Sequence, residues 1–213
     1  MSNSLVLFIC GICGYLAGSI PFGLVLTRLA GYGDIRKIGS GNIGATNVLR
    51  TGNKTLALLT VLLDALKAGI AAYLALVVVS SENIIFCGFP TKLNVLAALI
   101  AGSMGIIGHN FPVWLKFKGG KGVASAFGFL LMTYCPLAIL LLAVWLVMAF
   151  TFRYSSLAAL TAAAVVPVYS FLFLSPVCAM FYTFIAILVI ARHRGNIARL
   201  LKGEESKISF KKK

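Results

Sequence analysis

Long apolar runs separated by short polar links dominate the chain. A helix needs about 20 predominantly apolar residues to cross the hydrocarbon core of a membrane. The apolar runs are Leu5–Leu26, Leu56–Val79, Leu93–Ile107, Val123–Phe152, Leu157–Leu174 and Val177–Ile190. This pattern predicts an all-α fold, a polytopic integral membrane bundle of helices joined by short loops.

The fourth run, Val123–Phe152, is too long for one crossing. As a single helix it would measure about 45 Å, against a hydrocarbon core of about 30 Å. Pro136 lies near its middle, where a proline disrupts a helix. We therefore expect a break at Tyr134–Pro136, which gives seven transmembrane segments. The alternative is five spanning helices, with the remaining runs lying in the membrane interface.

Composition agrees with a membrane protein, because 60% of the residues are hydrophobic and only 11% are charged. A soluble domain is about one quarter charged. The 19 Lys and Arg residues outnumber five Asp and Glu residues, which gives a formal net charge of +14. In a soluble protein such an excess would suggest a nucleic-acid partner. Membrane topology accounts for it here, so no nucleic acid is expected.

The basic residues gather in alternate polar links, and only Lys67 and Lys92 lie elsewhere. By the positive-inside rule, the links rich in basic residues face the cytoplasm. We therefore expect the N-terminus outside and the C-terminus in the cytoplasm. The basic end Lys211–Lys213 is expected to be attracted to anionic lipid.

The first informative polar stretch is loop 39–50. Its glycines let backbone N–H groups approach an anion, and Arg50 can bind a phosphate through two N–H groups. The spacing G-x-G-x-x-G is not a dinucleotide site, because no βαβ unit surrounds it. The alternative is a turn and helix cap. The neutral hydrogen-bonding residues of this loop are Ser40, Asn42, Thr46 and Asn47.

The second stretch, loop 108–124, contains Lys118-Gly119-Gly120-Lys121-Gly122 directly before an apolar run. Two lysines and a glycine-rich backbone at a helix N-terminus form a cradle for an oxyanion. A Walker A loop would need glycine at Leu115 and Ser or Thr at Gly122, so nucleotide hydrolysis is not expected. The alternative is a basic loop that holds lipid headgroups.

The third stretch is loop 192–208. In a helix, His193, Asn196 and Arg199 would share one side. The alternative is a basic stop signal next to the membrane. Within the second apolar run, Asp64 and Lys67 lie three residues apart, and charges at that depth usually face the protein interior. We expect a buried structural ion pair rather than a proton relay.

The side-chain inventory is rich in anion binders and poor in proton acceptors. The only histidines are His109 and His193, and neither has an aspartate five positions later. No metal site and no cofactor are expected. These features indicate an enzyme that positions phosphate-bearing lipid substrates and neutralises developing charge. The alternatives are a transporter of an anionic lipid precursor and a scaffold for lipid enzymes.

In several ordered motifs the chain resembles the bacterial acyl-phosphate:glycerol-3-phosphate acyltransferase family, along nearly its whole length. The matching segments are Gly18–Pro21, Ser40–Arg50, Asp64–Lys67, Gly108–His109, Phe117–Ala124, Tyr154–Leu157 and Arg192–Ile208. The resemblance implies one membrane-embedded domain over residues 1–213, in the bacterial inner membrane with its active site on the cytoplasmic face. It implies transfer of a fatty acyl group from acyl phosphate to the 1-position hydroxyl of sn-glycerol 3-phosphate. The products would be lysophosphatidate and phosphate.

The resemblance also implies roles for individual residues. Ser40 and Arg50 correspond to residues that the family requires for activity. Lys118–Gly122 looks like the glycerol 3-phosphate site, and His193 and Asn196 look like residues that assist activity. Besides the two substrates and membrane lipid, the soluble enzyme that makes acyl phosphate is an expected partner.

The remaining roles are our hypotheses built on that resemblance. Lys118, Lys121 and the backbone of Gly119–Gly122 are expected to bind one phosphate. Ser156 is expected to contribute a hydroxyl contact, and the resemblance implies that Glu205 is a structural residue. The residues expected to hold the other phosphate and its carbonyl are Ser40, Asn42, Thr46, Asn47 and Arg50.

Overall fold

The computed structural model describes residues 2–208, which are mostly helical. The basic end Lys211–Lys213 lies outside the described residues. The chain groups into two compact units, with the boundary between Thr133 and Tyr134. The organisation of residues 1–213 as a single domain stays a prediction.

Over its described residues, the first unit contains six α-helices, three short 3-10 helices (Ile35–Lys37, Leu49–Thr51 and Val113–Leu115) and one hairpin. The hairpin strands are β1 (Asn83–Phe86) and β2 (Phe89–Lys92), which pair antiparallel around Cys87 and Gly88. Both turn residues have positive φ, 51° and 82°, as a two-residue hairpin turn requires. The helices are α1 (Asn3–Gly18), α2 (Phe22–Leu29), α3 (Ala45–Val48), α4 (Lys54–Val78), α5 (Leu93–Asn110) and α6 (Val123–Thr133).

The second unit contains four helices. They are α7 (Cys135–Phe152), α8 (Ser155–Phe173), α9 (Pro176–Arg192) and α10 (Arg194–Leu201). The predicted helix break is confirmed, because Tyr134 has an extended φ of −155° and Pro136 lies in the first turn of α7. Ser175 caps α9 by accepting a hydrogen bond from the Cys178 N–H.

Helix length and apolarity support five membrane spans in the described chain, or six if the bent pair α9 and α10 is one span. The two helices of that pair meet at 56°. Helix α6 has 11 residues, about 16 Å, which is too short to cross the core by itself. The seven-span topology and the orientation of the termini stay predictions.

The first apolar run is broken, whereas the sequence suggested one continuous segment. Helix α1 ends at Gly18 and α2 begins at Phe22. Pro21 lies between them and has no N–H to continue the helix. The break leaves the Ile20 carbonyl oxygen outside the helical hydrogen-bond pattern, and the Lys67 ammonium donates to it over 2.8 Å.

Small residues bring the helices of the first unit into backbone contact. A Cβ atom built on Gly14 would overlap the Ala101 backbone, and one on Gly18 would overlap Gly105, so α1 and α5 run parallel. A Cβ on Gly128 of α6 would overlap the Ala65 backbone of α4 in the same way. Close approach of this kind drives helix association in lipid, where apolar burial adds little.

The polar stretches 39–50 and 108–124 meet at one end of the first unit. Helices α4 and α5 are antiparallel, since the Asn94 amide donates to the Leu76 carbonyl and Gly105 packs on Ala68. Loop 39–50 therefore precedes α4 at the end where α5 finishes. Leu115 packs there on the small apolar core beneath loop 39–50, which consists of Leu24, Ile35, Ile43, Val48 and Ala57.

Gly18→Ala is expected to destabilise the protein, because its methyl group would meet the Gly105 backbone, which has no flexible end to move aside. Overpacking of this kind costs about 1–3 kcal/mol, or a fall of several degrees in the apparent unfolding temperature in detergent. Gly11→Ala is the matched control, since its Cβ would lie 3.4 Å from the flexible Ile100 side chain. Equal unfolding temperatures for the two variants would contradict this packing.

Candidate active site

Asn47 organises loop 39–50 from within. Its side chain is buried, and its amide nitrogen lies 2.7 Å from the Ile35 carbonyl and 2.9 Å from the Asn42 carbonyl. Its amide oxygen accepts a hydrogen bond from the Ser40 N–H over 3.2 Å. The side chain is thus used inside the loop, and a direct contact between Asn47 and a substrate stays a prediction.

The other candidate side chains of this loop lie at its surface. Ser40, Thr46 and Arg50 are exposed, and Asn42 is half-buried. Gly39 has a left-handed φ of 56°, and a Cβ there would overlap the Arg50 guanidinium. The absence of a side chain at Gly39 therefore lets Arg50 lie across the loop.

The glycine-rich segment Lys118–Gly122 rests on the end of α5. The Gly119 N–H donates to the Asn110 carbonyl over 3.1 Å, and the Gly120 N–H donates to the His109 carbonyl over 3.0 Å. These carbonyls belong to the last turn of α5, where the backbone carbonyl groups have no N–H donor within the helix. These two N–H groups are thus used within the fold, and phosphate binding by the backbone of Gly119–Gly122 stays a prediction.

The cationic side chains of this segment remain placed for anion binding. Lys118 is exposed and Lys121 is half-buried. Gly122, with a left-handed φ of 83°, directly precedes α6. A helix N-terminus carries partial positive charge. The lysines and the start of α6 are thus the groups of this segment that suit a phosphate.

Asp64 and Lys67 form an ion pair of 2.8 Å, with both side chains under 5% exposed. This is the buried pair that their spacing predicts. His109 joins the pair, with its Nδ1 atom 3.6 Å from Asp64 Oδ1. Ser125 of α6 donates to the Asp64 backbone carbonyl over 2.7 Å. His109 was not among the residues expected at the site, although it closely follows the apolar run Leu93–Ile107 and precedes the glycine-rich segment.

In the second unit, Glu205 is the shared hydrogen-bond acceptor of the third stretch. Its carboxylate accepts hydrogen bonds from Ser156 over 2.8 Å, from Asn196 over 2.7 Å and from Arg199 over 2.7 Å. Burial acts to raise the pKa of Glu205, but these hydrogen bonds outweigh it and hold the pKa below its ordinary value. Ser156 and Asn196 thus share one ionised partner.

His193 follows α9 and is buried. Its Nδ1 atom lies 2.7 Å from the Val189 carbonyl oxygen. Because a carbonyl oxygen can only accept, Nδ1 is the donor in this hydrogen bond. The third stretch therefore presents an imidazole of fixed orientation and an amide within one helical turn.

The five carboxylates of the chain offer little general-base chemistry. Asp34, Asp64 and Glu205 each pair with basic groups, and Glu82 and Glu204 are exposed. The pKa of Asp34 is lowered, chiefly by hydrogen bonds from Arg36. Among residues 2–208, no three His, Cys, Asp or Glu side chains gather in a way that could hold a metal ion.

Comparisons with known proteins agree along the whole chain. The family model described as glycerol-3-phosphate acyltransferase matches residues 8–203. The glycerol-3-phosphate acyltransferase of Rhodospirillum rubrum is 56% identical over 210 residues, which cover 99% of this chain and 94% of the relative. That of Maricaulis maris is 51% identical over 212 residues, which cover 100% and 92%.

Two crystal structures share the fold. One is PlsY (YgiH), an integral membrane glycerol 3-phosphate acyltransferase, in its glycerol 3-phosphate form, with a TM-score of 0.84 and 35% identity over 95% of this chain and 96% of that one. The other is the lysophosphatidic acid form, with a TM-score of 0.82 and 34% identity over 95% of both chains. The chain described here therefore belongs to the glycerol-3-phosphate acyltransferase family of integral membrane enzymes.

Proposed function

We propose that this enzyme transfers a fatty acyl group from acyl phosphate to the 1-position hydroxyl of sn-glycerol 3-phosphate, which yields lysophosphatidate and phosphate. The observation that carries the proposal is the pair of cationic loops at one end of the first unit, joined through the packing of Leu115. Two such loops suit two phosphate-bearing substrates. The related crystal structures, described as glycerol 3-phosphate and lysophosphatidic acid forms, match the proposed acceptor and product.

The glycine-rich segment is the proposed site for the phosphate of glycerol 3-phosphate. Lys118 and Lys121 supply positive charge, and the start of α6 after Gly122 adds its dipole. Gly119 and Gly120 allow the backbone to pack closely on α5, because their N–H groups are bonded to the end of that helix. The phosphate is thereby held by the positive charges above this backbone.

Loop 39–50 is the proposed site for acyl phosphate. Arg50 can hold two phosphate oxygens at once. The donors Ser40, Asn42 and Thr46 line the same loop and are assigned to the phosphate and the acyl carbonyl. Asn47 keeps the loop in shape. The apolar helices next to this loop are assigned to the fatty acyl chain.

The third stretch is the proposed clamp on the glycerol part of the acceptor. His193 and Asn196 orient its hydroxyls, and Ser156 adds a hydroxyl contact. Glu205 fixes Ser156 and Asn196 through the hydrogen bonds described above. This assignment requires the second unit to present its polar end to the same cytoplasmic face as the loops of the first, as the positive-inside rule predicts.

The chemistry then needs no base from the protein. The acceptor hydroxyl oxygen attacks the acyl carbonyl carbon, and an ester C–O bond forms. The bond from that carbon to the phosphate oxygen breaks, and phosphate leaves with the electron pair. The hydroxyl proton passes to a phosphate oxygen of a substrate, in keeping with the paired or exposed carboxylates of the chain. Arg50 and the lysines stabilise the charge that develops.

A transporter of an anionic lipid precursor is the competing function. It needs polar groups along a path to the far side of the membrane. The far end of the first unit carries the hairpin, whose strands Asn83–Phe86 and Phe89–Lys92 include one basic residue, Lys92. Among the described residues of that end, no segment matches the cationic loops 39–50 and 118–122.

The direct test is product formation by purified protein in detergent, where no gradient can exist. We expect lysophosphatidate from acyl phosphate and glycerol 3-phosphate, and none when acyl-CoA is the donor. Arg50→Ala and Lys121→Ala are each expected to lower kcat/KM by about 10–100-fold, because a hydrogen bond to a charged group is worth about 1.5–3 kcal/mol.

Lys54→Ala is the matched control, since it removes an exposed positive charge at the start of α4 outside the proposed sites. It is expected to retain wild-type turnover. Intact turnover in both the Arg50 and the Lys121 variants would refute the assignment of the two loops. Absence of product with the wild-type protein would favour the transporter.

Glu205→Gln is expected to lower the apparent unfolding temperature at pH 7 by several degrees, since it removes the charge that three donors share. The folded-state pKa of Glu205 lies below the ordinary 4.5. Its stabilisation is thus complete above about pH 4.5 and is lost as the pH falls through the folded-state pKa. The variant should therefore lose less stability on acidification than the wild type. Glu204→Gln, an exposed neighbour, is the control, and identical acid profiles for all three proteins would contradict the role of Glu205.

A further inference from the structure

The glycine-rich segment contacts a side chain at the end of α5 as well as its backbone. A Cβ atom built on Gly120 would overlap three atoms of the His109 imidazole, with Nε2 the nearest. A Cβ on Gly119 would overlap the His109 carbonyl oxygen and the Pro112 ring. The segment therefore lies directly on His109, with no space for a methyl group between them.

The edge of the imidazole opposite Gly120 faces Asp64. Its Nδ1 atom faces Asp64 Oδ1 at 3.6 Å, and the ring is 5% exposed. Asp64 is in turn fixed by the 2.8 Å ion pair with Lys67. A ring enclosed between a carboxylate and a loop backbone cannot turn without losing one of the two contacts.

Asp64 also fixes the far end of the same loop. Ser125, in the first turn of α6, donates to the Asp64 backbone carbonyl over 2.7 Å. The loop runs from α5 to α6, so its two ends are tied to one residue of α4, through His109 on one side and Ser125 on the other. The position of the glycine-rich segment is thus set by groups that lie below it.

We propose that His109 is a positioning residue for the acceptor substrate: anchored by Asp64, its imidazole supports Gly120 and so places Lys118 and Lys121 around the phosphate of glycerol 3-phosphate. This inference rests on the proposed function, in which the glycine-rich segment binds that phosphate. His109 contacts the loop backbone and acts through it.

The proposal predicts a specific kinetic pattern. Displacing a binding group by about 1 Å can cost up to about 100-fold in rate or affinity. His109→Ala and His109→Gln are therefore expected to raise the KM for glycerol 3-phosphate, by about tenfold for alanine and less for glutamine, whose amide can still donate toward Asp64. The KM for acyl phosphate, assigned to loop 39–50, is expected to stay within about twofold.

A double-mutant cycle with Gly120→Ala tests the contact itself. Gly120→Ala alone forces the loop away from the ring and raises the same KM. In the double variant with His109→Ala, the new methyl group occupies space that the ring has vacated. The KM of the double variant is therefore expected to lie well below the product of the two single effects, by about fivefold or more.

Ser103→Ala is the matched control, because Ser103 is a buried polar residue of α5 that lies about two turns before His109. It is expected to leave both KM values within about twofold. Apparent unfolding temperatures are measured for every variant. If His109→Ala does not fold, the cycle is run with His109→Ser, whose small side chain also vacates the space of the ring.

The outcomes separate this inference from the function on which it rests. If Lys121→Ala leaves the KM for glycerol 3-phosphate unchanged, the assignment of the glycine-rich segment fails. If Lys121→Ala raises that KM but the His109 variants do not, or if they raise both KM values equally or lose only thermal stability, the positioning role of His109 is overturned. Strictly multiplicative effects in the cycle would overturn it as well.

Discussion

The ion pair between Asp64 and Lys67 is the interaction on which the arrangement of the first unit depends. A charge inside a membrane protein is costly unless it is paired and hydrogen-bonded, and breaking such a pair leaves an uncompensated charge. Here the two residues of the pair receive contacts from three segments that pack on α4. Lys67 donates to the Ile20 carbonyl at the break after α1, His109 of α5 faces Asp64, and Ser125 of α6 bonds to its backbone. Ile20, His109 and Ser125 are thereby fixed relative to the two residues of the pair.

These contacts are possible only because the helices approach closely. Glycines replace bulk where α1 meets α5 and where α4 meets α6, as at Gly18, Gly105 and Gly128. Lipid supplies no hydrophobic force to press the helices together, so backbone contact and buried polar groups must do so. The packed helices also hold the two loops in place. The glycine-rich segment is bonded to the end of α5, and loop 39–50 packs on the apolar core that Leu115 also contacts.

Features with a strong local cause could be predicted from the sequence. Apolar runs predicted the helical membrane bundle, Pro136 predicted the break in the fourth run, and the spacing of Asp64 and Lys67 predicted their pairing. Features that depend on tertiary partners could not. The hydrogen bonds of the Gly119 and Gly120 N–H groups were not predicted, because nothing in the sequence shows that the end of α5 lies beneath them. The hairpin was not predicted because its short strands resemble a polar link. The hydrogen bonds of Asn47 were not predicted either, because its partner carbonyls lie several residues away in the sequence.

The proposed reaction requires the polar stretches 39–50, 108–124 and 192–208 to open to the same side of the membrane. The most direct test of this requirement is the accessibility of single cysteines to a membrane-impermeant maleimide, in an otherwise cysteine-free chain in vesicles of known orientation. Suitable exposed positions are Lys37, Lys116 and Gly195, with Glu82 near the hairpin for the opposite side. We expect cysteines at positions 37, 116 and 195 to be labelled from the cytoplasmic side, and a cysteine at position 82 to be labelled from the opposite side. Labelling of position 195 from the side opposite to 37 and 116 would contradict this requirement.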